Sequence, residues 1–141
     1  MSRSGYLVDT SAIVRLSRDP TLRAKWLEPL DAGLLAICPI TELEVLHGAT
    51  SLAHWQSLEL AMDETYRWVV MPDRIATRAK DVERGLAVRG MHQSAGAVDL
   101  LVAATAEEHR LTLLHYDRDF DCVAEVTGQP VCWLADSGSI D

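Results

Sequence analysis

Short blocks of consecutive apolar residues punctuate this chain, separated by longer stretches in which apolar residues recur every three or four positions. Tyr6-Leu7-Val8, Leu34-Leu35-Ala36-Ile37-Cys38, Leu111-Thr112-Leu113-Leu114-His115 and Val131-Cys132-Trp133-Leu134 are blocks of the first kind. Unbroken apolar runs of this length predict strands covered on both faces. Tyr66-Arg67-Trp68-Val69-Val70-Met71 is aromatic and β-branched and predicts one more. The stretches between them predict helices. Ala-Ile-Val-Arg-Leu follows Thr10 and Ser11, which favour helix N-caps. Pro20 to about Asp31 carries Leu22, Trp26, Leu27 and Leu30 at helical spacing and is closed by Gly33.

Thr41-Glu42-Leu43-Glu44 has the form of a capping box, with Thr41 as N-cap, and a second amphipathic stretch covers roughly Leu52 to Met62. Pro72-Asp73 opens a helix to about Val88, with Ile75, Ala79, Val82 and Leu86 on one face and Gly90 as its stop. A loop over Met91–Gly96 precedes a helix from about Ala97 to His109. Strands alternating with helices predict an α/β fold with a central, mostly parallel sheet and helices on both sides. A length of 141 residues suits one domain over 1–141, with about 136–141 as a loose C-terminal tail.

Composition narrows the function. Hydrophobic residues at 48% and charged residues at 24% are those of a globular protein. Neither a signal peptide nor a membrane span is expected, because Asp9 interrupts the first apolar run, so a cytoplasmic protein is predicted. Cys38, Cys122 and Cys132 are odd in number and form no Cys-x-x-Cys pair, which argues against a disulfide framework and against zinc. A net charge of −8 argues against sequence-blind binding to nucleic acid over a broad surface. It is compatible with an acidic pocket around a cation, whose charge would reverse the local field.

Four acids are candidates for such a pocket. Asp9 ends the first strand, and Asp117 follows the strand that ends at His115; acids at the carboxyl ends of parallel strands stand where open α/β sheets bind ligands. Asp99 lies in the first turn of its helix, where the dipole alone would also favour it. Glu42 and Glu44 point about 200° apart on their helix, so only one can face a shared cleft. Gly48, four residues after Glu44, leaves that face bare and favours Glu44. Asp117, Asp119 and Asp121 alternate as at the start of a calcium-binding EF-hand loop, yet Cys122 and Gly128 stand where Gly and Glu are required. Clustered carboxylates repel unless a cation neutralises them, and oxygen-only ligation favours Mg2+ or Mn2+; the chemistry implied is phosphodiester hydrolysis.

Four blocks carry a resemblance: Leu7-Val8-Asp9-Thr10-Ser11-Ala12, Ile40-Thr41-Glu42-Leu43-Glu44-Val45-Leu46-His47-Gly48-Ala49, Val98-Asp99-Leu100-Leu101-Val102-Ala103-Ala104-Thr105-Ala106 and Leu114-His115-Tyr116-Asp117-Arg118-Asp119-Phe120. In that order and over nearly the whole chain, the sequence resembles the PIN-domain ribonucleases, most closely the VapC toxins of bacterial toxin–antitoxin pairs. The resemblance implies a three-layer α/β/α PIN-like fold and an endoribonuclease that depends on Mg2+ or Mn2+. It implies a homodimer, a small VapB-type antitoxin as inhibitor, and structured RNA such as tRNA or ribosomal RNA as substrate. Carried over by position, Asp9, Asp99 and Asp117 match metal ligands, Glu44 matches the acid four residues before a Gly, and Asp119 matches an auxiliary acid. His115 departs from the pattern, standing where many members have Thr or Ser.

Arg74, Arg78, Arg84 and Arg89, with Lys80, are candidates for an RNA-binding stripe along one helix, with His92 in the loop beyond; a solvated helix face explains them equally well. Apolar surface around Leu16, Trp26 and Leu46 to Leu58 is expected to dock an antitoxin helix. Two other classes compete. A receiver-like or cation-binding α/β module that does not hydrolyse RNA would want a late lysine facing the pocket, and the chain has only Lys25 and Lys80. A phosphatase with Asp9 as nucleophile would want a second Asp two residues on, where Ser11 stands.

Overall fold

A computed structural model describes residues 5–141; Met1–Ser4 of the expected 1–141 domain lie outside the described residues. Five strands form one sheet: β1 (Tyr6–Val8), β2 (Leu35–Ile37), β3 (Arg67–Trp68), β4 (Thr112–His115) and β5 (Val131–Trp133). Their spatial order is β3-β2-β1-β4-β5, and every neighbouring pair is parallel. Leu7 sits opposite Ala36 on one side and Leu113 on the other. The helices are α1 (Thr10–Arg18), α2 (Pro20–Lys25), α3 (Leu27–Asp31), α4 (Pro39–His47), α5 (Leu52–Thr65), α6 (Ile75–Val88), α7 (Ala97–Glu108) and α8 (Asp119–Thr127).

Successive strand side chains point to opposite faces, so an apolar run feeds two cores at once. Leu7, Ala36, Cys38 and Leu113 join Val82, Leu86, Val102 and Phe120 beneath α6, α7 and α8. Val8, Leu35, Ile37 and Leu114 join Ala12, Leu16, Leu46 and Met62 beneath α1, α4 and α5. These two clusters are the two interfaces of the three-layer α/β/α fold. Each fully buried leucine in them contributes about 1.5–3 kcal/mol.

Three local expectations are corrected. The single helix over Pro20–Asp31 is two, α2 and α3, joined at Trp26. Pro29 is the reason: in a continuous helix it has no N–H to offer Lys25, and its ring meets that carbonyl. Helix α4 begins at Pro39 with Cys38 as N-cap, so Thr41 is a buried residue inside the first turn and no capping box with Glu44 forms. The strand expected over Tyr66–Met71 shrinks to Arg67–Trp68 at the sheet edge. Beyond it the Val70 carbonyl accepts a hydrogen bond from His109 Nε2 at 2.7 Å instead of a strand partner. The Tyr116 hydroxyl donates to the Ile140 carbonyl at 3.0 Å.

Candidate active site

From β1 the chain runs outward to β2 and β3, then crosses back to place β4 on the other side of β1. Ligands bind in the crevice that such a reversal opens at the carboxyl ends of the strands. Asp9 and Asp117 stand on either side of it. The Asp9 amide donates to the Leu114 carbonyl at 2.9 Å, which ties the two strand ends together.

Asp9 is only 4% exposed and is itself the N-cap of α1, a role the sequence had suggested for Thr10 and Ser11. Its Oδ2 accepts from the Ser11 amide at 3.0 Å and from the Ser11 hydroxyl at 2.7 Å. The Ser11 Oγ in turn accepts from the Tyr116 amide at 2.9 Å, so one hydroxyl fixes the carboxylate against the segment that carries Asp117. Asp9 Oδ1 is buried with no hydrogen-bond partner.

Asp99 lies at the third position of α7, where its Oδ2 accepts from the Gly96 amide at 3.3 Å. Asp117 Oδ1 accepts from the Asp119 amide at 3.0 Å, which folds the turn into α8. Oxygens of Asp99, Asp117 and Asp119 all lie within 4.8 Å of one another. Glu44 reaches toward the same place from α4: its Oε1 accepts from the Thr10 hydroxyl, one residue after Asp9, at 2.7 Å. Burial, and then the charges of Asp63 and Glu59, raise the Glu42 carboxyl.

Charge accumulates here without a counter-ion. Burial first, and then the charges of Asp9, Asp117 and Glu44, push the Asp99 carboxyl up to about 6 against the opposing bond from Gly96. Burial also raises Asp9, with a contribution from Glu44, although the Ser11 bonds pull it down. Asp119 is raised by burial and by Asp117, against the opposing charge of the neighbouring Arg118. No ion pair among the described residues reaches Asp9, Asp99, Asp117 or Asp119. Oxygens of Asp99, Asp117 and Asp119 that close together fit a hard divalent cation held by oxygen alone; Asp9 is not in that group, and its link to it is the charge it exerts on Asp99.

The sequence marks Thr10 and Ser11 only as helix starters; in the structure their hydroxyls hold Glu44 and Asp9. Nothing in residue spacing distinguishes the two uses, since an N-cap and an orienting hydroxyl call for the same side chains. Three of the four arginines pair with acids outside the carboxylate cluster. Arg78 makes a bidentate pair with Glu107 at 2.6 and 2.9 Å, Arg74 pairs with Glu108, and Arg89 lies 3.6 Å from Glu125. Arg84 has no ion-pair partner among the described residues. The three cysteines are free, and Cys38 is buried.

The profile of the PIN domain matches residues 6–126. Ribonuclease VapC51 of Mycobacterium tuberculosis is 44% identical over 137 residues, covering 96% of this chain and 97% of that protein. This chain belongs to the VapC branch of the PIN-domain family. Ribonuclease VapC21 from the same species is 38% identical over 95% of this PIN domain and 96% of its own length. Among solved structures, VapBC2 from Rickettsia felis bound to a DNA fragment from its promoter superposes with a TM-score of 0.76 at 16% identity, covering 91% and 97% of the two chains. That likeness concerns the fold. The described part of this VapC-type domain contains no helix long and apolar enough to cross a membrane.

Proposed function

We propose that this PIN domain is an endoribonuclease dependent on Mg2+ or Mn2+, the toxin of a VapBC-type pair, acting in the cytoplasm on structured RNA such as tRNA or ribosomal RNA. The observation that carries the reading is the meeting of Asp99, Asp117 and Asp119 oxygens within 4.8 Å, beside the buried Asp9 carboxylate whose charge acts on Asp99. Relatives named as ribonucleases at 44% and 38% identity support the RNA substrate.

Asp9, Asp99 and Asp117 are the residues that would hold the cation, with Asp119 beside them. A bound divalent ion supplies positive charge for a phosphate and lowers the pKa of a water molecule. The remaining work falls to the chain. Ser11 keeps Oδ2 of Asp9 occupied through two hydrogen bonds, which leaves Oδ1 as the unbonded oxygen. Thr10 holds Glu44 Oε1, which leaves Oε2 to accept a proton from an attacking water. The α6 arginines support the reading least, because Arg74, Arg78 and Arg89 are already engaged by acids.

For the VapB-type antitoxin, a cavity of about 500 Å3 between α1, α4 and α5 is lined by Val45, Leu58 and Ala61 over the buried Ile13, Leu16 and Met62, together with Arg18 and Arg23. Its lining fits an amphipathic helix with acidic flanks. Leu43 and Leu52, 65% and 72% exposed, give a second apolar face compatible with the homodimer. The test is cleavage of a bulk tRNA and ribosomal RNA preparation by the purified chain with Mn2+. Wild-type cleavage that EDTA abolishes and that Asp99→Asn lacks is the expected result, and full activity in Asp99→Asn would remove the assignment.

A further inference from the structure

The imidazole of His115 is a fully enclosed polar side chain near the crevice, and the chemistry just described does not use it. It is completely buried at the end of β4. Phe120 packs on it at 5.2 Å between ring centroids, and Trp133 of β5 at 4.9 Å. Its Nδ1 lies 3.1 Å from the Asp117 amide nitrogen, which donates to it. A backbone N–H can be accepted only by a ring nitrogen without a proton, so the proton of the neutral ring is on Nε2. Nε2 has no hydrogen-bond partner; Asp121 Oδ1, 3.9 Å away, is its nearest acid. Asp121 is anchored on its other oxygen, Oδ2, by the Trp133 indole N–H at 3.1 Å.

Building on the metal-dependent reading above, we propose that His115 is a positioning residue: its Nδ1 sets the Asp117 amide, and through it the turn that delivers Asp117 and Asp119 to the cation. The connection is direct. The amide held by the imidazole belongs to the residue whose Oδ1 accepts the Asp119 N–H at 3.0 Å. Both residues contribute oxygens to the group that meets within 4.8 Å. A serine hydroxyl at position 115 would also reach an amide two residues on. Only a ring spans from that amide to the aromatic wall of Phe120 and Trp133, which fixes its plane as well as its position. Asp121 belongs to this support, held by Trp133 and turned toward Nε2, and is not one of the acids that meet around the cation.

Two isosteres separate the positioning role from simple packing. Asn places its Oδ1 where Nδ1 is, and Gln places its amide nitrogen where Nε2 is. Both lose the ring, so both should lower the melting temperature to a similar extent. Mn2+ affinity, titrated calorimetrically on the purified full chain without RNA, should separate them. His115→Asn should stay within about threefold of wild type, and His115→Gln should weaken Mn2+ binding by about 10-fold or more, the usual effect of losing a group that orients a ligand. Equal affinities for the two variants, with wild-type Mn2+ binding intact, would overturn the role of His115 alone. A wild-type chain that binds no Mn2+ would overturn the nuclease reading and this role with it. If either variant fails to fold, long-range 15N–1H correlation on the wild-type protein decides: the Nε2–H tautomer supports the assignment, and an Nδ1–H tautomer ends it.

Discussion

Two charged regions of this molecule end in opposite states. Along the outer side of α6, Arg74, Arg78 and Arg89 each find an acid on α7 or α8. At the carboxyl edge of the sheet, Asp99, Asp117 and Asp119 meet within 4.8 Å, with Asp9 near enough for its charge to act on Asp99, and none of the four has an ion-pair partner among the described residues. The first arrangement is complete as it stands and needs no ligand. The second is unfavourable as it stands, which is the mark of a site whose missing charge comes from outside. Compensation, and not charge density, distinguishes structure from function here.

The sharpest way to break this contrast is to remove one uncompensated acid. Asp99→Asn should reduce metal-dependent RNA cleavage by about a thousandfold, comparable with deleting a group that stabilises transition-state charge. The same change should stabilise the metal-free fold, because it removes a carboxylate that burial and three neighbours disfavour. Lost activity with a raised melting temperature is therefore expected, measured by cleavage assay and thermal unfolding in EDTA. A lowered melting temperature would mean that Asp99 is structural.

Adding the missing charge should act in the opposite sense on the wild-type chain. At a Mn2+ concentration 100 times its dissociation constant, the folded state should gain about 2.7 kcal/mol by mass action. Thermal unfolding with and without Mn2+ reads this gain, which should vanish in Asp99→Asn. Next in size is a pH effect in EDTA. Asp99 sits at about 6 when folded, above the ordinary aspartate value, so between about pH 4 and 6 the folded protein binds a proton that the unfolded chain has released. Stability should consequently fall as pH rises through that window, by about 1 kcal/mol after allowance for solvent screening. His115, whose burial lowers its pKa, acts in the other direction, so the quantity to measure is the difference between wild type and Asp99→Asn across the window.

The layered fold and the two strand-end acids were legible in the chain because both follow from periodicity: runs apolar on both faces make inner strands, and Asp9 and Asp117 come just past their ends. The choice of Glu44 over Glu42 rested on helix geometry and the open face at Gly48, and Glu44 is the one that meets Thr10. Other features depended on contacts between distant segments. Thr41 has the residue types of a capping box, but Pro39 starts the helix earlier and turns Thr41 into the core. The break at Trp26 was readable from Pro29, a proline inside an otherwise helical pattern. The pairing of α6 arginines with Glu107, Glu108 and Glu125 was not, because helical spacing reports which residues share a face and not what that face meets.

The smallest expected effect probes the compensated side. Glu107→Gln removes the acid that holds Arg78 through two hydrogen bonds, in a pair whose side chains are 29% and 42% exposed. Such a pair contributes at most about 1 kcal/mol, and less at high salt, so the melting temperature should drop slightly at low ionic strength and converge on wild type as salt is added. RNA affinity is the informative second measurement. If the α6 cations only brace the helix layer, affinity and its salt slope should not change. If a freed Arg78 reaches a phosphate, binding should tighten and its salt dependence should steepen by about one counterion. The first result leaves the division between compensated and uncompensated charge intact. The second would move α6 across it, making Glu107 a residue that masks an RNA contact.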